Sequence, residues 1–219
     1  MAKLLNSPSN ILEDLHQPHS PVVFTNIHDA ASAKAIVSLP SAKALATAGH
    51  AVAAAAGLGD DDLTMEINIA AATRIASVIK DFQKPLQLLQ VGVAGTNLED
   101  YNNTTKKMYS LDEAASRIRR VMDVAQSAGV ADFVVNARFD TFLHRGELEE
   151  VIQRGQRYLA AGATTAFDGR LNVLLKLSPD GLTIPELADI GVARISIGLT
   201  LQLKAMEKLK EEAENILKK

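Results

Sequence analysis

The apolar and polar positions of this chain switch repeatedly between two periods. Short apolar, β-branched runs read as strands: PVVFTNI (21–27), AKALATA (42–48), DFVVNARFD (132–140) and ARISIG (193–198). Segments with apolar residues at three- and four-residue spacing read as helices. DAASAKAIVSLPSA (29–42) is Ala-rich, and AVAAAAG (51–57) is denser still. DDDLTMEINIAAATRIASVIKDF (60–82) opens with acids and places Met65, Ile69, Ala72, Ile75 and Ile79 on one stripe. In SLDEAASRIRRVMDVAQSAG, Ser110 reads as an N-cap, Glu113 completes a capping box, and Gly129 suits the position after the helix. ELEEVIQRGQRYLAAGA (147–163) and IPELADIG (184–191) are further helices, and 201–219 closes as an amphipathic helix with Met206, Leu209, Ala213, Ile216 and Leu217 on one face. The first twenty residues, with His16 and His19 read as surface histidines, are expected to be an irregular lead-in to a single domain over 21–219.

Alternating strands and helices predict a parallel sheet, and eight strand candidates favour a (β/α)8 barrel of the TIM type. Two junctions resist that reading. Leu86–Gln90 and Ala94–Asp100 are separated by Val91, Gly92 and Val93 alone, and TTAF (164–167) and LNVLLKL (171–177) by Asp168, Gly169 and Arg170. Parallel neighbours need a crossover of about a dozen or more residues. The barrel is therefore expected to be incomplete or modified at both places.

Composition narrows the function. Of the 219 residues 47% are hydrophobic and 22% charged, with a formal net charge of −3, so the chain carries no electrostatic footprint for nucleic acid or an anionic membrane. Aromatics make up 4%, with no Trp, which argues against a base-stacking platform. No run of about 18 apolar residues and no signal-peptide core is seen, so a cytoplasmic location is expected. Zero cysteines exclude disulfides and thiolate catalysis.

Polar residues gather where the predicted strands end, the face on which barrel active sites form. They are Asn26, His28 and Asp29, the Asp60–Asp62 run, Glu99 and Asp100, Asn136, Arg138 and Asp140, Asn172, and Ser196. Converging carboxylates suit Mg²⁺, a hard cation that takes oxygen ligands and keeps water. An arginine among them suits a carboxylate or phosphoryl group. Each also has a plainer reading: the Asp run as a helix cap, Glu99 and Asp100 as a solvated strand end, Arg138 and Asp140 as a structural ion pair, and Lys106-Lys107 as a solvated loop.

The set PVVFTNIHDAASA, AGLGDDDLT, GVAGTNLED, SLDEAASRI, VVNARFD, ELEEVIQRGQRYLAAGA and ELADIGVARISIG, in that order, resembles the isocitrate lyase/phosphoenolpyruvate mutase family, and its short mutase-like branch most of all. The resemblance implies a modified TIM barrel forming tetramers by exchange of C-terminal helices. It also implies chemistry that makes or breaks a C–C or P–C bond beside a carboxylate, through an Mg²⁺-stabilised enolate of a small 2-oxo or phosphono acid. Carried over by position, Asp60 and Glu99 would hold Mg²⁺ through water. Arg138 would anchor the substrate with Asn172 and Thr47, and Asn136, Asp29 and Lys107 would belong to the catalytic set. Residues 106–109 would lie in a lid.

Departures from the family pattern are as informative. The aspartate-bearing loop after the third strand and its helix are absent, as is the loop and helix after the sixth. Lys106-Lys107-Met108-Tyr109 replaces the cysteine-bearing lyase loop, which implies that the chain is not an isocitrate or methylisocitrate lyase. Two functions stay open: an Mg²⁺-dependent lyase- or mutase-type enzyme, or a catalytically impaired relative serving as a binding or oligomerisation protein.

Overall fold

The computed structural model describes residues 8–79, 86–87, 94–141, 144–165, 170–178 and 180–218, with Leu86 and Gln87 described through their backbone alone. The strands are β1 (Val22–Ile27), β2 (Ala44–Thr47), β3 (Leu86–Gln87), β4 (Gly95–Glu99), β5 (Tyr101–Asn102), β6 (Lys107–Met108), β7 (Val134–Arg138), β8 (Asn172–Leu174) and β9 (Arg194–Ser196). The helices are α1 (Pro8–Asp14), α2 (Ala30–Val37), α3 (Gly49–Ala55), α4 (Met65–Ile79), α5 (Leu111–Ser127), α6 (Leu148–Ala160), α7 (Ile184–Asp189) and α8 (Thr200–Leu217), with a short 3₁₀ turn at Asp60–Asp62.

Strands pair in barrel order but in two arcs. The first runs β3-β2-β1-β9-β8, all parallel. The second pairs β4 with β7 in parallel, extended by a parallel bridge between Asn136 and Thr165. The fold is α/β with parallel strands, as expected. The sixth strand candidate contributes that bridge through Thr165, and Ala166 to Gly169, which hold the end of that strand candidate and most of the second short junction, lie outside the described residues. LNVLLKL is reduced to Asn172–Leu174.

The three-residue junction expected between the third and fourth strands falls within residues 88–93, which lie outside the described residues.

Alternation along the strands sorts their residues into an inner and an outer set. Val22, Phe24, Ala44, Ala46, Ala94 and Val134 pack together inside, with Leu12 of α1 among them. Ile27 and Leu45 pack outward against α2 and α4; Val135 and Ala137 meet α5 and α6; Ile195 meets Leu187 of α7. The lead-in is thus corrected in part. Residues 8–14 form α1, whose Leu12 is fully buried in the interior, and His16 just beyond it is fully buried too.

Inside, the two arcs are tied by polar groups. Asn97 Oδ1 on β4 accepts from Asn136 Nδ2 on β7 at 2.9 Å and from Arg194 Nη2 on β9 at 3.0 Å. Asn136 Oδ1 accepts from Thr165 Oγ1. Arg194 is fully buried, with its guanidinium 4.0 Å from the centre of the Phe24 ring. Burial pushes its pKa down to about 9, so the group is still a cation at neutral pH.

Candidate functional site

The C-terminal ends of β4 and β7 lie side by side, because Glu99 pairs in register with Arg138. Both side chains fall on the inner set, so the ladder itself brings carboxylate and guanidinium together. Arg138 Nη1 donates to Glu99 Oε1 at 2.7 Å, and its Nε donates to Asp140 Oδ1 at 2.9 Å. The ion pair read from Arg138 and Asp140 is present. The two partners differ in kind: Asp140 is 5% exposed and Glu99 38%. Nε is therefore held by a buried acceptor, whereas the Nη1 bond faces solvent and can exchange for a ligand oxygen.

Burial raises the pKa of the Glu99 carboxyl; Arg138 opposes that, and the negative fields of Asp140, Asp60 and Asp100 add to it. Asp60 is thus near enough to be felt at Glu99. The Asp60–Asp62 turn is not the helix cap expected, since α4 begins at Met65 behind Thr64, whose carbonyl accepts from Asn68. Asp60 sits 3.8 Å from His50 Nδ1, and Asp61 accepts from Lys106 Nζ at 2.7 Å.

The expected loop at 101–109 is an antiparallel hairpin, β5–β6. Lys106 takes a left-handed turn at φ 53° and reaches Asp61, while Lys107 stands exposed opposite Asn102. Tyr101 stacks on His144 with ring centres 3.9 Å apart. The hairpin is pinned on one side to the Asp turn and on the other to the segment after β7.

Asp100 is no solvated strand end, being 2% exposed. Its Oδ1 accepts from the Asp140 N–H at 3.0 Å and its Oδ2 from the Tyr158 hydroxyl at 2.9 Å, with Arg154 Nη1 at 3.5 Å. Arg154 also donates to Glu150 and to the Tyr109 carbonyl. Sequence reading missed Arg154 and Tyr158, although their four-residue spacing on α6 places them on one face. It missed Arg194 as well, whose signal was a charge on the inner face of an otherwise apolar strand.

Other expected site residues are placed elsewhere. Asp29 caps α2: its Oδ1 accepts from Ser32 N at 2.7 Å, and although burial pushes its pKa up, these Ser32 bonds bring it below the usual value. With His28 it lines a cleft of about 130 Å³ against Val52 and Ala71. Asn26 accepts from the backbone N–H groups of Ile197 and Gly198. Asn136 is buried below Arg138 and bonded to Asn97 and Thr165. Thr47 shares the outer face of Leu45, away from the interior. Asn172 opens β8 rather than ending it and accepts from Ser196 Oγ.

The family model for phosphoenolpyruvate phosphomutase matches residues 12–168, more than half of the chain. The chain belongs to the phosphoenolpyruvate phosphomutase family. An uncharacterised protein of Mycobacterium tuberculosis is 30% identical over 215 residues, covering 84% of this chain and 80% of its own. Among solved structures, a candidate phosphonomutase of Burkholderia cenocepacia J2315 aligns with TM-score 0.82 and 28% identity over 96% of this chain and 98% of its own. Oxaloacetate acetylhydrolase aligns with TM-score 0.82 and 23% identity over 94% and 85% of the two chains, a likeness of fold. The candidate phosphonomutase spans almost the same length as this chain. Among the described residues no helix is long and apolar enough to cross a membrane.

Proposed function

We propose that the mouth formed by β4 and β7 is the active site of a lyase- or mutase-type enzyme acting on a small 2-oxo or phosphono acid, through an enolate beside the carboxylate. The observation that carries this reading is the state of Arg138. Its Nε is fixed by a buried carboxylate while its outer edge faces an exchangeable, half-exposed Glu99. A guanidinium held this way offers two parallel N–H groups to an incoming carboxylate. A relative's name supports the substrate class, because oxaloacetate is a small 2-oxo acid.

For Mg²⁺ the donor set is oxygen-rich but thin. Asp60 and Glu99 supply two carboxylates, the negative field of the first reaching the second. Among the described residues no group of three His, Asp or Glu is placed to cage a metal ion, and the sequence holds none of these residues from Phe82 to Leu98. The residues fit a hydrated cation held through water, not a direct protein cage. When bound there, Mg²⁺ would supply stabilisation of developing enolate charge. The chain's own part is that Arg138 binds and orients the carboxylate. The β5–β6 hairpin, latched by Lys106 to Asp61, would serve as the lid that excludes water once substrate is bound.

Enolisation tests this directly. In D₂O with MgCl₂, the methyl protons of pyruvate are expected to exchange for deuterium faster with the protein than without it, and Arg138→Gln should abolish the gain. No exchange, together with no turnover of oxaloacetate or phosphonopyruvate, would reject the enzyme reading. It would leave the non-catalytic relative, which the missing acids of 82–98 favour.

A further inference from the structure

We infer that Asp100, buried under the mouth with Tyr158 and Arg154, is a positioning residue that sets the orientation of the Arg138 guanidinium. The inference rests on the reading of Arg138 as the acid anchor, and it names what holds that anchor still.

The chain of contacts is short and closed. Asp100 Oδ1 accepts from the backbone N–H of Asp140, and Asp140 Oδ1 accepts from Arg138 Nε. Asp100 Oδ2 is fixed from below by the Tyr158 hydroxyl at 2.9 Å, and that hydroxyl accepts from Arg154 Nη1 at 3.0 Å. Backbone bonds complete the clamp: Asp100 N–H donates to the Arg138 carbonyl, and Tyr109 N–H donates to the Asp100 carbonyl. One side chain therefore joins the ends of β4 and β7 and the base of the hairpin to α6. Asp100, Tyr158, Arg154 and Asp140 are all buried, so these bonds are shielded from competing water. Glu99 cannot do this work, because it is half-exposed and contacts the outer edge of Arg138. Asp140 alone cannot either: it follows the strand end, and its backbone is held by Asp100.

Replacing Asp100 by Asn turns one acceptor into an NH₂ donor facing the Tyr158 and Arg154 donors, and Tyr158→Phe removes the supporting hydroxyl while keeping the ring packed. Both release Asp140 and let Arg138 swing. Two readouts follow. One is exchange protection of the Arg138 Nε–H in ¹⁵N NMR, assigned by its loss in Arg138→Lys. The other is oxalate affinity by calorimetry with MgCl₂ present. Asp100→Asn is expected to speed Nε–H exchange and weaken oxalate binding by about 10-fold, the scale of one lost charge-assisted hydrogen bond. Tyr158→Phe should move both in the same direction, and Arg157→Gln, which lies beside Tyr158 on α6 and breaks only an exposed pair with Asp112 of α5, should move neither. Unchanged exchange and unchanged affinity in Tyr158→Phe and in folded Asp100→Asn would overturn the inference. If the wild-type protein takes up no oxalate, the proposed function fails, and Nε–H exchange alone decides the positioning role.

Discussion

At the residue scale, the structure repeatedly buries charge and then satisfies it through neighbours. His16 shows the consequence most plainly. Its Nδ1–H donates to the Leu12 carbonyl at 2.6 Å, and among the described residues Nε2 has no hydrogen-bond partner. Burial, and then the positive field of Arg194, lower its pKa from 6.5 to about 4, against the Leu12 bond, which works the other way. The folded protein thus holds His16 neutral where the unfolded chain would protonate it. Stability from this residue is complete above pH 6.5 and is lost as pH falls towards 4, on the order of 3 kcal/mol in total. Urea unfolding at pH 7 and pH 4.5 is expected to show a smaller loss for His16→Phe than for wild type. Parallel losses would show that His16 does not carry the acid sensitivity.

At the element scale, α1 and α8 stand at opposite extremes. α1 is seven residues long and is held in place by Leu12, which packs among Phe24, Ala44 and Val134 of the strands. α8 spans 18 residues and buries Gln202 alone among them. Leu203, Met206, Leu209, Ile216 and Leu217 stay exposed, and an 18-residue helix draws most of its stability from a packed face. We propose that a second copy of the chain covers this face, as the family resemblance implied. Sedimentation is expected to show an oligomer, and Met206→Asp with Leu209→Asp should shift it to monomer. A monodisperse wild-type monomer would contradict this.

At the scale of the whole molecule, the parallel α/β architecture was legible because periodicity survives in each strand and helix. Ser110, whose side chain accepts from Glu113 N, and Gly129, at φ 80°, took the helix-end roles their residue types require. The cluster of Glu99, Arg138 and Asp140 was legible because strand-end polar residues stand out. Register was not: the resemblance carried Thr47 and Asn172 to the substrate site, whereas alternation sets Thr47 on the outer face beside Leu45 and Asn172 opens β8 bonded to Ser196. Nor was burial of short polar segments visible, since whether Asp100 or His16 meets water depends on α6, β1 and β9 converging from distant parts of the chain. The two short junctions were legible as anomalies, and their central residues, 91–93 and 168–169, lie outside the described residues.

Everything functional rests on Arg138 offering its guanidinium to a small acid at the mouth. Calorimetric titration of oxalate, an enolate mimic, into the wild-type protein and Arg138→Gln, with MgCl₂ present, tests that most directly. Saturable binding by the wild type, weakened at least about 10-fold by the substitution, is the expected result. No wild-type binding, or equal affinity in both proteins, would contradict the account.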